Sequence, residues 1–392
     1  MHTRPAAALL AGSLGALTLL CASASASPAR ATLHSRTLTI HLTARQSASA
    51  PQEGPIERIA LDGTHAAFVA GVPVSRSDQL GQRLYRWNLA TGRKTAVSGA
   101  KTGAIPETST GIGISDIALT GSSSAWIVRS GGNEESDDAL LGSMPRAGHD
   151  RQLATSERYV IGDGDLYHGD WIGGLVSGGS QVWYSTWTTD ASGNVTESAL
   201  WRRSGSTTRQ LASGSGAVVA ASADGGRVAL LRTDGSVAIY GSDGTLQTTI
   251  GGAGSADPAC VTICPAEGVA LTGKLVAVLA SAKPCCGADS IEVYDRTTGA
   301  LLHTWPNVSG YVWQFDAHDG IAIYGQGDRL FAIDLETGKT AVVAHRTRTI
   351  EQARLDKAGL LYYFNGRWSS KRGWSGTLVF VPFRTIAAKV AG

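Results

Sequence analysis

The residues best suited to chemistry in this chain of 392 residues are aromatic, and they fall in three groups. Trp368 and Trp374 sit in a Ser/Gly/basic segment that also contains Arg367 and Arg372. Tyr167, His168 and Trp171 form the second group, and Tyr311 with Trp313 the third. Flat aromatic faces beside hydrogen-bond donors suit carbohydrates, peptides and other amphipathic ligands. Packing between sheets competes with that use, and it is the favoured reading for Trp171, Trp187 and Trp313. The polar setting of Trp368 and Trp374 fits packing less well.

The ionisable residues give no catalytic set. Asp163, Asp165 and Asp170 offer oxygens for Ca²⁺, but their spacing completes no calcium loop, and a solvated acidic turn is the favoured reading. The run Glu134-Glu135-Ser136-Asp137-Asp138 reads as a solvated loop tip. The nine His residues are scattered, with no zinc-binding pair and no Gly-x-Ser-x-Gly elbow. His65, His149 and His318 fall in short turns. His168 stands beside several acids, although a lone His is more often structural. No cofactor motif is present.

The start of the chain reads as a secretory signal over residues 1–26. Arg4 is its basic end, Ala6 to Leu20 its apolar stretch, and Ala22 to Ala26 its small-residue cleavage region. Cys21 as a lipidation site is the minor alternative, because Leu20 stands where a small residue is expected. The expected location is secreted or periplasmic, with no membrane span after signal removal. Cys260, Cys264, Cys285 and Cys286 remain, and four cysteines in an oxidising compartment imply two disulfides. Cross-pairs between the two cysteine-bearing loops are favoured over Cys285–Cys286, whose ring is strained. Removing the signal takes one Arg from 34 basic residues and none from 32 acidic ones, leaving +1. That balance excludes phosphate neutralisation as a binding principle and makes nucleic acid a poor partner.

Charged residues are only 17% of the chain and there are 49 glycines, which points to short strands and tight turns. A repeat organises them. Each unit opens with an apolar strand and a turn, as in Ile59-Ala60-Leu61-Asp62-Gly63, Ile117-Ala118-Leu119-Thr120-Gly121 and Val269-Ala270-Leu271-Thr272-Gly273. A continuous apolar strand follows, such as Leu275 to Leu279, as expected of a strand buried on both faces. A third strand alternates into a Gly turn, as in Ile333-Asp334-Leu335-Glu336-Thr337-Gly338, and a short fourth strand ends the unit. One such meander cannot bury both its faces, whereas units stacked around an axis can. The expectation is an all-β fold, a β-propeller of about seven four-stranded blades over residues 57–392. Two β-sandwiches are the alternative, disfavoured by the period. The last blade has two candidates for its fourth strand: Thr385 to Val390, or residues 37–43 from the N-terminal segment 27–56.

These units resemble the secreted WD40-like, TolB-like and YVTN-type propeller repeats. Ala223-Asp224-Gly225 resembles that superfamily's Asp-Gly hairpin, and Asp334-Leu335-Glu336-Thr337-Gly338 its Asp-x-x-Thr-Gly turn. The likeness covers most of residues 57–392 as repeat grammar, without the Trp-Asp and Gly-His signatures of true WD40 repeats. A vicinal Cys285–Cys286 bridge would resemble one feature of quinoprotein alcohol dehydrogenases, from which this chain otherwise departs. Propellers host enzymes, receptors and scaffolds alike, so the resemblance implies a fold.

In such a blade the turns between strands one and two, and three and four, share the bottom face. These are short here, whereas the connections on the opposite, top face are long, including Ser130–Asp138, Glu157–Asp170 and Gly366–Gly376. Loops carry function more often than scaffold. The favoured function is therefore an exported binding or scaffolding propeller whose top face takes a protein, peptide or carbohydrate. The alternative is a propeller enzyme of hydrolase, lyase or lactonase type at the top of the channel, where Asp116, Asp170 and Glu267 lie near the axis.

Overall fold

The computed structural model describes residues 33–42, 55–73, 80–102, 111–121, 123–131, 135–144, 149–160, 167–251, 266–280, 290–306, 315–326, 328–366, 369, 371 and 373–392. The first strand, β1 (Arg36–Leu42), stands apart from its neighbours in sequence. The first meander is β2 (Ile56–Asp62), β3 (His65–Pro73), β4 (Leu80–Asn88) and β5 (Lys94–Lys101). Eight strands follow: β6 (Gly111–Thr120), β7 (Ser123–Gly131), β8 (Glu135–Met144), β9 (His149–Val160), β10 (Tyr167–Gly178), β11 (Gln181–Thr189), β12 (Val195–Ser204) and β13 (Thr207–Ser213). Next come β14 (Val218–Asp224), β15 (Arg227–Arg232), β16 (Val237–Tyr240) and β17 (Leu246–Ile250). The following meander is β18 (Ala266–Thr272), β19 (Leu275–Ala280), β20 (Ser290–Asp295) and β21 (Leu301–Pro306). After it run β22 (Phe315–His318), β23 (Ile321–Gln326), β24 (Arg329–Asp334) and β25 (Thr340–His345). The chain ends with β26 (Gln352–Leu355), β27 (Gly359–Asn365), β28 (Trp374–Pro382) and the helix α1 (Phe383–Ala391).

These strands form five four-stranded antiparallel sheets and one eight-stranded sheet. The expectation of about seven separate blades is therefore corrected at β6–β13. There, the top of β9 pairs with the top of β10 through Val160↔Tyr167, Tyr159↔His168 and Arg158↔Gly169, fusing two consecutive meanders. The expected loop Glu157–Asp170 is accordingly strand at both ends. The sheet does not lie flat, because its halves pack face to face through Ala118, Ile127 and Leu140 against Ile172, Val182 and Tyr184.

The inner strands close a ring. β2, β6, β10, β14, β18, β22 and β26 each pack against the next, and β26 packs against β2. The apolar cores lie between neighbouring sheets, as with Ile59, Phe68 and Trp87 against Leu361, Tyr363 and Phe380. β19 is buried at every position, the outcome for a continuous apolar run between two neighbouring sheets. At the last sheet, β1 lies outermost and pairs with β28 over seven residues, from Arg36↔Phe380 to Leu42↔Trp374. The other candidate for that position, Thr385 to Val390, is not strand but part of α1. Its Ile386 and Val390, one helical turn apart, are buried together, and its Ala-rich sequence favours helix.

The repeat acids are turn builders. In Asn88-x-x-Thr91-Gly92, Asp295-x-x-Thr298-Gly299 and Asp334-x-x-Thr337-Gly338 the first side chain accepts amide bonds of 2.8–3.0 Å from the next residues but one and two. The Gly then returns its N–H to the backbone carbonyl of that first residue at 2.7–2.9 Å. Gly338 must be glycine twice over: its φ is +72°, and a Cβ there would lie 2.5 Å from the Trp305 ring.

A second set of side chains ties neighbouring sheets together at several junctions. Asp62 Oδ2 accepts from Gly121 N (2.5 Å), Asp224 Oδ2 from Gly273 N (2.8 Å) and Asp356 Oδ2 from Gly63 N (2.5 Å). Closer to the centre of the inner strands, Ser222 Oγ, Asp316 Oδ2 and Gln352 Oε1 accept from Leu271 N, Leu355 N and Ile59 N at 2.7–2.9 Å. These bonds satisfy inner-strand amides that have no strand partner on the channel side.

Candidate functional site

Two regions collect side chains beyond what folding requires. The first is the top of the eight-stranded sheet. β9 and β10 are 12 residues each, against ten for β6 and four to seven for β2, β14, β18, β22 and β26. The fused pair therefore rises as a wall on the top face, at about 3.3 Å per residue.

The two sides of the wall differ because strand side chains alternate. On one side, Asp138 is wholly buried and holds two arginines. Arg129 Nε donates to Asp138 Oδ1 and Arg158 Nη1 to Asp138 Oδ2, each at 2.8 Å, while Arg158 Nη2 reaches Ser136 Oγ at 2.8 Å. The Arg158 guanidinium also lies 4.4 Å from the Trp171 ring centre. Trp171 in turn stacks on Trp187 at 5.9 Å and 5°, and its Nε1 donates to Thr189 Oγ1 at 3.0 Å. Trp171 thus lies between a guanidinium and an indole. Trp187 packs against the core that includes Trp183 and Val218.

The other side is solvent-facing. Glu135, Asp137 and Glu157 are exposed, and their carboxylate oxygens lie within 4.8 Å of one another. Tyr159, 39% exposed, donates its hydroxyl to Glu157 Oε1. The half-buried His168 ring is 6.1 Å from that of Tyr159. Asp170 is exposed and accepts from Thr188 Oγ1 at 2.7 Å.

The acidic run around Asp138 is thus not a uniform solvated tip. Glu135 and Asp137 face water, whereas Ser136 and Asp138 face the interior, because Glu135 to Asp138 are strand and not loop. Sequence reading missed this buried network. Its signal was the two-residue alternation of that run together with Arg129 and Arg158, its cross-strand partners.

The second region is the axial channel, a cavity of about 570 Å³. It runs from the level of Asp116 to the bottom-face turns at Asp62, Asp224 and Asp356. Asp116 borders the lumen deep in the ring. Burial raises its carboxyl to about 6 against the pull of Arg354, the Ile117 amide, Arg58 and Arg129. Burial likewise raises Asp316, opposed by Arg354 and by the amides of Leu355 and Ala317. Asp356 is pushed to about 6 by burial, with the Asp62 charge adding to the effect, against three amide bonds. Arg58 donates from Nε to the carbonyl of Ser115 at 2.8 Å. β-bulges at Glu57, Ser115, Val219 and Glu267 recur on the inner strands and re-aim the residues around them.

Of the remaining expected site residues, Trp374 opens β28 half-buried, opposite Leu42 of β1. Tyr167 is the first residue of β10. Trp368, Arg367, Arg372, Tyr311, Trp313, Asp163 and Asp165 lie outside the described residues, as do Cys260, Cys264, Cys285 and Cys286. Glu267 sits on a bulge of β18. Tyr167, His168 and Trp171 stand on the eight-stranded sheet, whereas Trp374 stands on the sheet of β1 and β26–β28. Among the described residues, no helix is long and apolar enough to cross a membrane.

No family model matches the chain. No curated protein matches it either. Among solved structures, a chain of the mitotic checkpoint complex aligns with 96% of this chain and 99% of its own length, at 13% identity and a TM-score of 0.51. The Pan2 WD40 domain of Neurospora crassa aligns over 89% of this chain and 95% of its own, at 9% identity and a TM-score of 0.49. A computationally designed protein, Ika8, aligns over 85% and 98%, at 13% identity and a TM-score of 0.47. At these identities the likeness concerns fold and not activity. With its ring of inner strands and four-stranded blades, the chain has a WD40-like β-propeller fold.

Proposed function

We propose that this chain is an exported, seven-bladed binding propeller, and that its partner docks on the wall that β9 and β10 raise above the top face. The seven-blade count takes the eight-stranded sheet as two blades joined by three residue pairs and sharing one core. The export reading rests on the Arg4, Ala6–Leu20 and Ala22–Ala26 pattern.

One observation carries the docking reading. The wall's buried side is locked by the Asp138–Arg158–Trp171 stack, while its outer side presents exposed Tyr159, Glu157, Asp137 and Asp170 on that rigid backing. A preorganised surface with an aromatic anchor and a polar rim is what a binding face requires. Four of the channel acids also favour binding over catalysis. Asp62, Asp224, Asp316 and Asp356 are already engaged by backbone amides of the ring.

The test is photo-crosslinking in the native export compartment, with a crosslinker placed at Tyr159 and, separately, at Leu246 on the outer rim. A specific adduct from position 159, absent from position 246 and lost in Glu135→Lys/Asp137→Lys/Glu157→Lys, is the expected result. Adducts of equal pattern from both positions would refute the wall as the docking surface.

A further inference from the structure

The channel contains an opposed pair of charges that the fold does not use. Arg354, half-buried on the inner strand β26, makes one hydrogen bond among the described residues, from Nη1 to the carbonyl of Ala353 at 3.2 Å. A guanidinium has five N–H donors, so most of its valence is left to the lumen. Asp116, on β6, accepts only from its own neighbour's amide, Ile117 N at 2.8 Å through Oδ1, and its Oδ2 has no hydrogen-bond partner among the described residues. Arg354 is the strongest of the charges acting on Asp116, yet no ion pair joins it to Asp116 or Asp316 among the described residues. Both groups line the same cavity of about 570 Å³, which is ample for a small molecule.

The contrast with the rest of the ring is informative. Asp316 spends both oxygens on amides, Ala317 N and Leu355 N, each at 2.9 Å. Asp356 holds three amides and Gln352 one. Those residues are joints of the scaffold. Asp116 and Arg354 are not, and a half-buried charge that forms no ion pair among the described residues is costly to the fold.

We propose that the channel binds a small zwitterion, an amino-carboxylate, with its carboxylate on Arg354 and its ammonium on Asp116. The guanidinium fork accepts a carboxylate in bidentate fashion. A dianionic phosphate fits less well, because the carboxylates of Asp116 and Asp316 line the same cavity as Arg354. An ammonium is favoured over a neutral donor for the same reason. The lumen extends to the bottom-face turns at Asp62 and Asp356, and none of the wall residues Glu135, Asp137, Glu157 and Tyr159 lines it. The site therefore stands or falls separately from the docking surface.

The experiment is isothermal titration of the full chain with glycine, β-alanine, γ-aminobutyrate and 5-aminovalerate, with acetate and methylamine as half-ligands. The expected result is saturable 1:1 binding with one spacer length preferred and both half-ligands at least about 10-fold weaker. Arg354→Gln and Asp116→Asn should each weaken the preferred zwitterion at least about 10-fold, and Arg354→Lys by less than Arg354→Gln. Glu135→Gln/Asp137→Gln/Glu157→Gln should leave it unchanged. Absence of saturable binding by all four zwitterions to the wild-type chain at about 10 mM overturns the proposal whatever the variants do. So does binding that survives Arg354→Gln unchanged.

Discussion

Replacing Asp138 by alanine removes the one acceptor shared by Arg129 and Arg158. The Asp138 side chain has no solvent exposure and that of Arg158 is 4% exposed, whereas Arg129 is 51% exposed. Arg129 can turn to water, but Arg158 is pinned by Ser136 and by the Trp171 ring and stays buried without its counter-charge. Removing one partner of a buried pair costs about 3–5 kcal/mol, mostly through the charge left behind. Unfolding entropy near 60 °C is about 2.1 cal/mol/K per residue, or roughly 0.76 kcal/mol/K over residues 33–392. The midpoint should therefore fall by roughly 4–7 °C in a calorimetric melt. Arg158→Met in the Asp138→Ala background should recover part of the loss, because it removes the stranded charge while keeping an apolar stem against Trp171. A loss below about 1 kcal/mol, or a double variant less stable than Asp138→Ala, would refute the view that this pair is buried and mutually dependent.

Other outcomes follow from the same structure. Burial raises the Asp116 carboxyl from 3.8 to about 6, so the folded state holds that proton more tightly than the unfolded chain. Its contribution is complete below about pH 4 and lost as pH rises through about 6, so Asp116→Asn should gain up to about 3 kcal/mol on wild type across that window and hold the gain above it; urea midpoints from pH 4 to 8 check this. Gly338→Ala should cost at least about 2 kcal/mol, from positive φ plus the Trp305 clash, whereas Gly121→Ala, at φ +42° with open space around it, should cost only about 1 kcal/mol; both are read from denaturant midpoints. Non-reducing peptide mapping of the protein produced in an oxidising compartment should find Cys260 and Cys264 each joined to Cys285 or Cys286, and four cysteines alkylated without reductant would contradict it.

The turns were the most legible part of the sequence. Asp-x-x-Thr-Gly specifies a side-chain acceptor, two amides and a positive φ within five residues, and Asp295 and Asp334 satisfy all three locally. The doubly buried second strands were equally plain, since a run such as Leu275–Ala280 has nowhere to go but between two sheets. The pairing of β9 with β10 was not legible. Glu157-Arg158-Tyr159-Val160 and Tyr167-His168-Gly169-Asp170 are polar, and a polar segment declares strand only through a partner distant in sequence. Asp138 was misjudged for the same reason: its neighbours Asp137 and Glu135 are exposed, and only the pleat separates them from it. Arg354 and Asp116 could not have been paired, because 238 positions and several sheets separate them and only closure of the ring brings them to one lumen.

Closure of that ring is the central claim, and β1 is its latch. Thr37 lies opposite Val379 across the β1–β28 ladder, although 342 positions separate them in sequence. In a chain carrying Thr37→Cys and Val379→Cys, with Cys260, Cys264, Cys285 and Cys286 replaced by serine, directly opposed Cβ atoms should be about 4.5–5.5 Å apart. Mild oxidation followed by peptide mass spectrometry should then recover one intramolecular linked peptide spanning positions 37 and 379. Recovery of both positions unlinked in the folded monomer, or linked only between chains, would contradict a propeller closed by its N-terminal strand.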